Sequence, residues 1–354
     1  MHRLGKALLY VFYLSLIILV CLEVLVRLSG YAEMYLYDPI YLPYTKNTKS
    51  TKNTKNAQSP EIPFVLKPNL ANARAHGNIR INTDELGLRS LTPGARIPPK
   101  GPHEYRLAFL GDSVTFGVGV ATADTYPEVV QATLNRWQNR CPVKVFNFAV
   151  SSYSVKEMTA TLQYRVPAVH PDLVVLGIII NDFDTSRTPG VDAWGYNTHG
   201  GASDLVNKYP RLKFLLRRLH LSYLIRDVFS RTLQPPKIGA ELSHGKLPEW
   251  ISSSYGYVTE FKMIARESGY QYLIVTLPTW GGDGSQFREI IRSFQRDNLD
   301  YFDISNLAPA FTAREYQASR YDSHPSALVH RQIAEKLSQY IWQKYLSEAC
   351  PRQR

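Results

Sequence analysis

The feature of this chain that most restricts its fold is a regular alternation of short apolar runs and helical patterns, which begins at Glu104. Near-continuous apolar strands that alternate with helices are typical of a parallel sheet covered on both faces. The pattern therefore predicts a three-layer α/β/α sandwich around a five-stranded parallel sheet. For this sheet we expect the flavodoxin-like order 2-1-3-4-5, which is one of the common orders of such sheets. The predicted strands are Arg106–Leu110, Val143–Phe146, Leu173–Ile180, Tyr272–Leu277 and Tyr301–Ile304.

Helical patterns occupy the gaps between the first three predicted strands, and another closes the chain. These segments are Pro127–Gln138, Ser154–Val166 and Ala327–Tyr345. A long insertion, at about residues 183–247, contains "PRLKFLLRRLHLSYLIRDVFSR", in which leucines recur at helical spacing and arginines occupy most of the other face. Two interpretations remain open: a helix that packs on the sheet with a solvated basic face, or a basic cap over the functional site or a membrane surface.

The N-terminus is an apolar segment long enough to cross a membrane. Arg3 and Lys6 precede an apolar run over residues 7–22, which is interrupted at Glu23 and continues to Leu28. The total of roughly 20 residues is what a helix needs to cross about 30 Å of hydrocarbon. No small-residue cleavage signal follows closely, so residues 1–30 are predicted to be an uncleaved transmembrane anchor. A cleaved signal peptide and a soluble core helix are the alternatives.

The charges that flank this segment predict its orientation. Arg3, Lys6 and the amino terminus lie before it, whereas Arg27 after it is offset by Glu33 and Asp38. Positive charge therefore favours a single-pass protein with a cytoplasmic N-terminus and its main domain outside the cytoplasm, in the periplasm or at the cell surface. The opposing feature is a run of lysines just beyond the flank, at Lys46, Lys49, Lys52 and Lys55.

Two segments separate the anchor from the main domain, which is predicted to occupy residues 104–350. Residues 44–60, "YTKNTKSTKNTKNAQSP", are low in complexity and are predicted to be a flexible basic linker. Residues 61–103 are predicted to be an extended lead-in that packs on the domain. The formal charge of +11 does not predict nucleic-acid binding, because no zinc-finger spacing, basic heptad helix or RNA-binding aromatic motif occurs. This charge fits anionic lipid or polysaccharide better.

Polar side chains follow three of the predicted strands and precede the last helix. Gly111-Asp112-Ser113 ends the first strand, "NFAVSSYS" follows the second, and Asn181-Asp182 ends the third. Asp322 and His324 stand in "YDSHPSALVH", immediately before the last helix. Because ligands bind beyond the carboxyl ends of strands in open α/β sheets, these groups are predicted to form one site. The "GDSVTFGVGV" stretch fits neither a phosphate loop nor the G-x-S-x-G elbow.

These residue types suit acyl transfer. A serine hydroxyl is a poor nucleophile until an imidazole takes its proton, and a carboxylate holds that imidazole in the correct tautomer. Attack on an ester places negative charge on the carbonyl oxygen, which preorganised donors stabilise. The reaction needs no metal or organic cofactor, and no metal-ligand spacing is found in the sequence.

The four blocks, in this order, resemble the SGNH hydrolase superfamily, also called the GDSL esterase/lipase family, over roughly residues 104–346. The anchor with its "EVLVRL" and the approach "RINTDELGLRS" are similar to bacterial membrane-anchored members. The resemblance implies that Ser113 is the nucleophile, His324 the general base and Asp322 the acid that orients it. It also implies an oxyanion hole made by the backbone amides of Ser113 and Ser152 and by the side chain of Asn181.

The sequence departs from the family pattern at three points. Ser152 stands where the second block normally ends in a glycine, and serine tolerates positive φ poorly. Ile179 replaces the glycine that usually precedes the asparagine by two residues. Asp322 precedes His324 by two positions and not by the more usual three, a spacing similar to that of polysaccharide-modifying relatives.

Three functions from different classes follow from the resemblance. The preferred one is a serine esterase that removes acyl groups, in particular O-acetyl groups, from an extracytoplasmic carbohydrate or lipid. An O-acyltransferase that modifies a polysaccharide with the same triad is the second. A non-catalytic binding protein that retains the fold is the third, and the intact Ser113, His324 and Asp322 set counts against it.

The cysteines give information on the cellular compartment of the main domain. Cys21 lies in the predicted anchor, Cys141 stands just before the second strand, and Cys350 follows the closing helix. In a sheet with the predicted order, the closing helix finishes near the start of the second strand, within reach of a disulfide. A Cys141–Cys350 bridge would favour an oxidising location, and two unrelated thiols are the alternative.

Overall fold

An eight-stranded sheet organises most of the chain in the computed structural model, which describes residues 2–44, 62–137, 141–186, 188–198, 215–233 and 249–347, with Tyr209 and Leu212. The helices are α1 (His2–Ser29), α2 (Ser113–Phe116), α3 (Tyr126–Trp137), α4 (Val155–Tyr164), α5 (His220–Leu233), α6 (Glu249–Glu267), α7 (Arg288–Arg296), α8 (Ala313–Tyr316) and α9 (Ala327–Ile341). The strands are β1 (Tyr41–Pro43), β2 (Phe64–Leu66), β3 (Ala73–Ala75), β4 (Ile79–Thr83), β5 (Arg89–Ser90), β6 (Tyr105–Leu110), β7 (Val143–Asn147), β8 (Leu173–Ile178), β9 (Gly190–Val191), β10 (Asn197–Thr198), β11 (Gln271–Thr276), β12 (Tyr301–Asp303), β13 (Gln317–Ser319) and β14 (Asp322–Pro325).

The parallel part of this sheet has the order that the sequence predicts. Its strands lie in the order β7-β6-β8-β11-β12, which is 2-1-3-4-5 counted along the chain. Each neighbouring pair is parallel, for example Leu107 beside Val145 and Ala108 beside Val174. Strand β6 lies between β7 and β8, so the segments that follow these three strands lie side by side at one edge of the sheet.

The predicted count of five strands is corrected to eight among the described residues, because the lead-in extends the sheet. Strand β5 pairs antiparallel with β7, β4 with β5, and β3 with β4. These strands have two to five residues each and carry polar side chains such as Arg80 and Asn82, so they lack the apolar runs that identify the parallel strands. The predicted third strand ends at Ile178, and Ile180 already belongs to a 3₁₀ turn.

Two apolar layers cover the two faces of the sheet. Alternate residues of each strand point to opposite faces, so Ala108 and Leu107 of β6 belong to different core clusters. Helices α4, α6 and α7 contribute buried residues to the first cluster. Helices α3 and α9 contribute to the second. The α/β/α arrangement is therefore confirmed.

The contacts within the chain divide it into two units, one formed by residues 1–36 and 201–240 and the other by residues 37–200 and 241–354. The first unit contains α1, in which Gly5–Ser29 is 25 residues long, has a mean hydropathy of 2.6 and meets the length and composition of a membrane-spanning helix. It also contains α5, which packs against α1 and the 3₁₀ turn Tyr31–Tyr35. Helix α5 therefore belongs with the N-terminal helix and not with the sheet. The helical pattern that the sequence shows across this part of the insertion is interrupted before α5 by a turn at residues 217–218.

Some predictions fall wholly or partly outside the described residues. Almost all of the predicted linker lies outside them, and so does Cys350. Cys141 is half-buried and disulfide-bonded, and Cys21 is a free, exposed thiol. The pairing of Cys141 with Cys350 stays a prediction that non-reducing peptide mapping of the full-length protein tests.

Candidate active site

Ser113 begins a short helix directly after the central strand. Gly111 and Asp112 follow β6, and α2 starts with Ser113. Asp112 caps this helix, because its Oδ1 accepts the Val114 amide at 2.9 Å. Gly111 is required by close packing, since a Cβ there would lie 2.1 Å from Thr115 Oγ1. The Gly-Asp-Ser sequence thus forms a tight turn that places Ser113 at the carboxyl edge of the sheet.

Ser113, His324 and Asp322 form a continuous hydrogen-bonded series. Ser113 Oγ lies 2.9 Å from His324 Nε2, and His324 Nδ1 lies 2.5 Å from Asp322 Oδ1. The His324 amide also donates to Asp322 Oδ1, at 3.1 Å. Asp322 is 1% exposed, whereas 29% of the His324 side chain is exposed. The carboxylate is therefore buried behind an imidazole that a molecule from solvent can reach.

The electrostatics of this series favour a charged carboxylate beside a basic imidazole. Burial by itself would lower the pKa of His324, but the hydrogen bond and charge of Asp322, with the charge of Asp112, raise it above its ordinary value. Burial would raise the pKa of Asp322, but its hydrogen bonds and charge interaction with His324, and the nearby His76, lower it below its ordinary value. In the neutral imidazole Nδ1 then carries the proton, so Nε2 is free to accept one from Ser113 Oγ.

Part of the lead-in packs against Asp322. Gly77, in the turn between β3 and β4, approaches Gly119 so closely that a Cβ on Gly77 would lie 2.7 Å from Gly119 Cα. A Cβ on Gly77 or Gly119 would also lie 3.7 Å or 3.3 Å from Asp322 Oδ2. Backbone from the lead-in and from the segment after α2 therefore closes one side of the carboxylate.

Arg89, from β5, binds the carbonyl groups of the segment that follows Ser113. Its guanidinium donates to the backbone oxygens of Phe116 and Gly117 at 2.7 Å each and of Val120 at 2.6 Å. Its Nε also donates to Thr122 Oγ1, at 3.1 Å. Burial lowers the pKa of Arg89 to about 9, so the group stays protonated at neutral pH. The lead-in therefore supports the turn that carries Ser113.

Replacement of this arginine tests that support. Arg89→Leu is expected to lower the free energy of unfolding by about 3 kcal/mol or more, because buried carbonyls lose their donors. Urea unfolding measures the change. Arg96→Leu, at an exposed arginine of the same lead-in, is the matched control and is expected to change the value by less than about 0.5 kcal/mol. Equal effects of the two substitutions would contradict the role given to Arg89.

The two other predicted oxyanion residues lie in the segments after β7 and β8, the strands that flank β6. Ser152 has a φ of 78°, the left-handed conformation that the family's glycine adopts easily. Asn181 is half-buried in the 3₁₀ turn Ile180–Phe183, which Asp182 closes by accepting the Ile179 amide at 2.8 Å. Ile179 itself has a φ of −115°, so this position does not need a glycine.

A second histidine near the site is neutral and structural. His330 is fully buried in α9, and its Nδ1 accepts the Tyr126 amide at 3.1 Å. Burial, followed by the nearby charges of Arg89 and His324, lowers the pKa of His330 to about 3. An unfolded histidine titrates near 6.5, so the stability that the neutral ring provides is complete above about pH 6.5 and is lost as the pH falls toward 3.

The His330→Gln substitution tests this pH dependence. The wild-type free energy of unfolding is expected to fall by up to about 1.4 kcal/mol per pH unit as the pH decreases from 6 to 4.5. The variant keeps an acceptor for the Tyr126 amide but has no titrating ring. Its free energy of unfolding should therefore fall less over the same pH range, by up to about 1.4 kcal/mol per pH unit. Urea unfolding at several pH values measures both slopes, and identical slopes would contradict the assignment.

Comparison with known proteins identifies the family. The model of the GDSL-like lipase/acylhydrolase family matches residues 109–332, more than half of the chain. The chain belongs to this family. The match begins within β6 and ends within α9, so the Ser113, Asp322 and His324 series lies inside it. This GDSL-family chain is therefore an acylhydrolase that acts on ester bonds.

Several solved structures are similar to this GDSL-family chain at low identity. A lipase/acylhydrolase from Enterococcus faecalis is 12% identical, with 71% of this chain and 100% of that chain covered and a TM-score of 0.41. A catalytic mutant of an acetylxylan esterase from Geobacillus stearothermophilus is 15% identical, with 71% and 97% covered and a TM-score of 0.40. A two-domain esterase active on acetylated mannans is 15% identical, with 71% and 52% covered and a TM-score of 0.43. No curated protein matches the chain.

Sequence reasoning missed the residues that support the site of this GDSL-family member. Arg89 and Gly77 come from the lead-in, where the only available signal was the similarity of "RINTDELGLRS" to membrane-anchored members. Asn197, whose Nδ2 donates to Ser152 Oγ at 2.9 Å, had no signal at all. Over the part of the chain that the structure describes, no three or more His, Cys, Asp or Glu side chains are arranged to hold a metal ion.

Proposed function

We propose that this acylhydrolase is a membrane-anchored serine esterase that removes acyl groups, in particular O-acetyl groups, from an extracytoplasmic carbohydrate or lipid. The observation that carries the mechanism is the series of 2.9 Å and 2.5 Å contacts from Ser113 through His324 to Asp322. The 2.9 Å distance from Ser113 Oγ to His324 Nε2 is within the range needed for proton transfer between a nucleophile and its base, and the 2.5 Å contact with Asp322 orients that base.

The reaction has two acyl-transfer steps. Ser113 Oγ attacks the ester carbonyl while His324 Nε2 takes the hydroxyl proton, and the imidazolium returns that proton to the departing alcohol. Asp322 stays ionised and stabilises the imidazolium. Water then attacks the acyl-serine, His324 removes a proton from it, and the carboxylic acid and free Ser113 are released.

The negative charge of each tetrahedral intermediate needs donors. The Ser113 amide is the first of α2, and the first N–H groups of a helix have no acceptor within it. We assign this amide, the Ser152 amide and the Asn181 side chain to the oxyanion hole. The support is that the segments after β6 and β7 are joined by a hydrogen bond from the Val150 amide to the Gly111 oxygen, at 3.2 Å.

The assignment of Asn181 predicts a specific kinetic change. Asn181→Ala is expected to lower kcat by about 10²-fold with little change in KM, because an oxyanion donor acts mainly in the transition state. Steady-state kinetics with a chromogenic acetyl ester measure both constants. Ser186→Ala, at an exposed position of the same segment, is the control and should leave both unchanged. A raised KM alone would make Asn181 a substrate-binding residue instead.

The location and substrate rest on separate arguments. Helix α1 supports the anchor, and Arg3 and Lys6 at its N-terminal end support a cytoplasmic N-terminus. The formal charge of +11 suits an anionic polysaccharide or a lipid surface. The two-residue spacing from Asp322 to His324, similar to that of polysaccharide-modifying relatives, supports a sugar-linked acyl group.

One experiment separates hydrolysis from its alternatives. Full-length protein in detergent is incubated with two acetyl donors, an acetylated oligosaccharide and an acetyl ester of a chromogenic phenol. An unacetylated oligosaccharide is present as the acceptor, and the products are separated by mass spectrometry. Free acetate is the expected product, and Ser113→Ala is the control. Acetylated acceptor in place of free acetate would overturn the hydrolase in favour of the acyltransferase. Absence of both products would favour a non-catalytic protein.

A further inference from the structure

The polar face of helix α5 contacts the segment that follows α1 in the same unit. Asp227 accepts hydrogen bonds from the hydroxyls of Tyr31 at 2.6 Å and Tyr35 at 2.5 Å. The ring of Tyr223 stacks on that of Tyr35, with centroids 5.2 Å apart, and the Arg226 guanidinium lies 4.3 Å from the Tyr35 centroid. These contacts pair Tyr223, Arg226 and Asp227 of α5 with residues of the same unit.

The apolar face of the same helix is exposed. Ile225, Val228 and Phe229 follow the i, i+3, i+4 spacing of a single helix face, and they are 48%, 56% and 62% exposed. An amphipathic helix in water normally has the opposite arrangement, with its apolar side chains packed and its charges solvated. Contiguous exposed apolar side chains of this kind mark a surface that contacts another apolar phase.

The start of α5 is fixed to the end of α1. The Glu23 carboxylate accepts the backbone amides of His220 at 3.0 Å and Leu221 at 2.8 Å, and so caps α5. Glu23 lies in the last two turns of α1, which ends at Ser29. The first residues of α5 are therefore held where a helix that spans a bilayer would leave the hydrocarbon.

We propose that the Ile225, Val228 and Phe229 face of α5 lies in the interfacial layer of the bilayer that α1 crosses. The proposal rests on the proposed anchor. Apolar side chains of an interfacial helix enter the boundary between headgroups and acyl chains, and neighbouring basic residues attract anionic lipid. Arg218, which is exposed two positions before the start of α5, suits phospholipid headgroups of negative charge.

A photo-crosslinking experiment tests this contact. Full-length protein is placed in vesicles of phosphatidylethanolamine and phosphatidylglycerol that contain a diazirine-bearing phospholipid, irradiated and mapped by mass spectrometry. Crosslinks are expected in α1 and in residues 222–229, and none at Met263, which is 55% exposed but belongs to the other unit. The Val228→Asn, Phe229→Asn double variant should lose the crosslinks in residues 222–229 and keep those in α1. Crosslinks in α1 alone in the wild type overturn this proposal, and crosslinks in neither segment overturn the anchor and the proposal together.

A different observation concerns Ser152, which the sequence places where the family has a glycine. Its φ of 78° is a conformation that glycine adopts freely and serine adopts only when its surroundings hold it there. Asn197 Nδ2 donates to Ser152 Oγ at 2.9 Å. The Ser152 side chain therefore accepts a hydrogen bond that stabilises the left-handed backbone conformation, which a glycine at this position would adopt without such a bond.

Asn197 is itself held in place. Its backbone amide donates to the Tyr37 hydroxyl at 3.0 Å, and it pairs with Val191 in the β9–β10 hairpin. The Tyr37 ring packs on His76, with centroids 3.9 Å apart. The hairpin and the lead-in therefore fix the donor that reaches Ser152.

We infer that Asn197 is a positioning residue that keeps the Ser152 amide in the orientation required of an oxyanion donor. This inference rests on the proposed mechanism. Asn197 acts through Ser152 and not on the substrate, so its effect should depend on the residue at position 152. A serine needs the hydrogen bond from Asn197 to stay in the left-handed conformation, whereas a glycine does not.

A double-mutant comparison tests the dependence. Asn197→Ala is expected to lower kcat about tenfold with little change in KM, and to lower the rate at which a fluorophosphonate labels Ser113 by a similar factor. In the Ser152→Gly background the same substitution should have no effect on either quantity. Thr198→Ala, at the neighbouring position of β10, is the matched control.

Each other outcome has a defined meaning. Equal losses in both backgrounds, no loss in either, or a raised KM alone would overturn the positioning role of Asn197. Severe loss in Ser152→Gly alone would overturn the proposed use of the Ser152 amide. The labelling rate needs no substrate, so failure of the esterase proposal, shown by absence of turnover in the wild type, is distinguished from failure of this one.

Discussion

Ser113→Ala is expected to lower kcat by about 10³-fold or more and to leave the fold intact. The hydroxyl proposed to attack the ester is lost, whereas Asp112 still caps α2 through the Val114 amide. Alanine is smaller than serine and a good helix former, so α2 should tolerate it. Steady-state kinetics on an acetyl ester measure the loss, and urea unfolding with circular dichroism checks the fold.

Labelling gives an independent measure of the same residue. A fluorophosphonate is expected to modify the wild type at Ser113, and the modified peptide should be absent from the Ser113→Ala and His324→Ala variants. Ser285→Ala, at an exposed serine of the same unit, should be labelled like the wild type. Retained turnover in Ser113→Ala, or labelling at another serine, would remove the proposed nucleophile.

Asp322→Asn is expected to lower kcat/KM by about 10³-fold, because an asparagine no longer stabilises the imidazolium or selects the Nδ1–H tautomer. The substitution should also move the pH profile. The activity needs neutral His324, so in the wild type it rises with pH through the raised pKa of His324. Without the Asp322 charge, burial lowers the pKa of His324, and the acidic limb should move to lower pH.

The direction of that movement distinguishes the mechanism from simple damage to the site. A variant that was only partly unfolded would lose activity, but the acidic limb of its pH profile would stay at the same pH. Asp283→Asn, at an exposed carboxylate, serves as the control and should change neither the rate nor the limb. Measurement of kcat/KM between pH 5 and 9 tests both effects, and a limb that moves to higher pH would contradict the roles given to Asp322 and His324.

The sequence predicted the parallel sheet and the proximity of Ser113 to His324 because the signals for both are local. Apolar runs identify β6, β7, β8, β11 and β12, and polar residues at the ends of parallel strands meet at one edge. Ser113 and His324 are 211 residues apart, yet both stand at positions that this rule places together. The predicted contact therefore followed from topology and did not require the geometry of any side chain.

Only the tertiary structure decided how the lead-in and the insertion are used. The short strands β3, β4 and β5 have no apolar run of their own, and they become strands because the edge of β7 offers backbone hydrogen-bonding groups. Arg89 then reaches carbonyls 27 to 31 residues further along the chain. No pattern of residue types in the sequence encodes such a contact, because it depends on the path of the backbone.

The sequence by itself predicted the class of fold, the order of the parallel strands, the membrane-length helix and the proximity of Ser113, Asp322 and His324, and the role of Asn181 stays a prediction. The tertiary structure decided the left-handed backbone of Ser152 and the exposed apolar face of α5. Ser152 is stabilised by a residue 45 positions away, and Asp227 of α5 by a tyrosine 196 positions away. Hydrophobic period and turn chemistry act over a few residues, whereas these features depend on hydrogen bonds between distant segments that form only when the chain has folded.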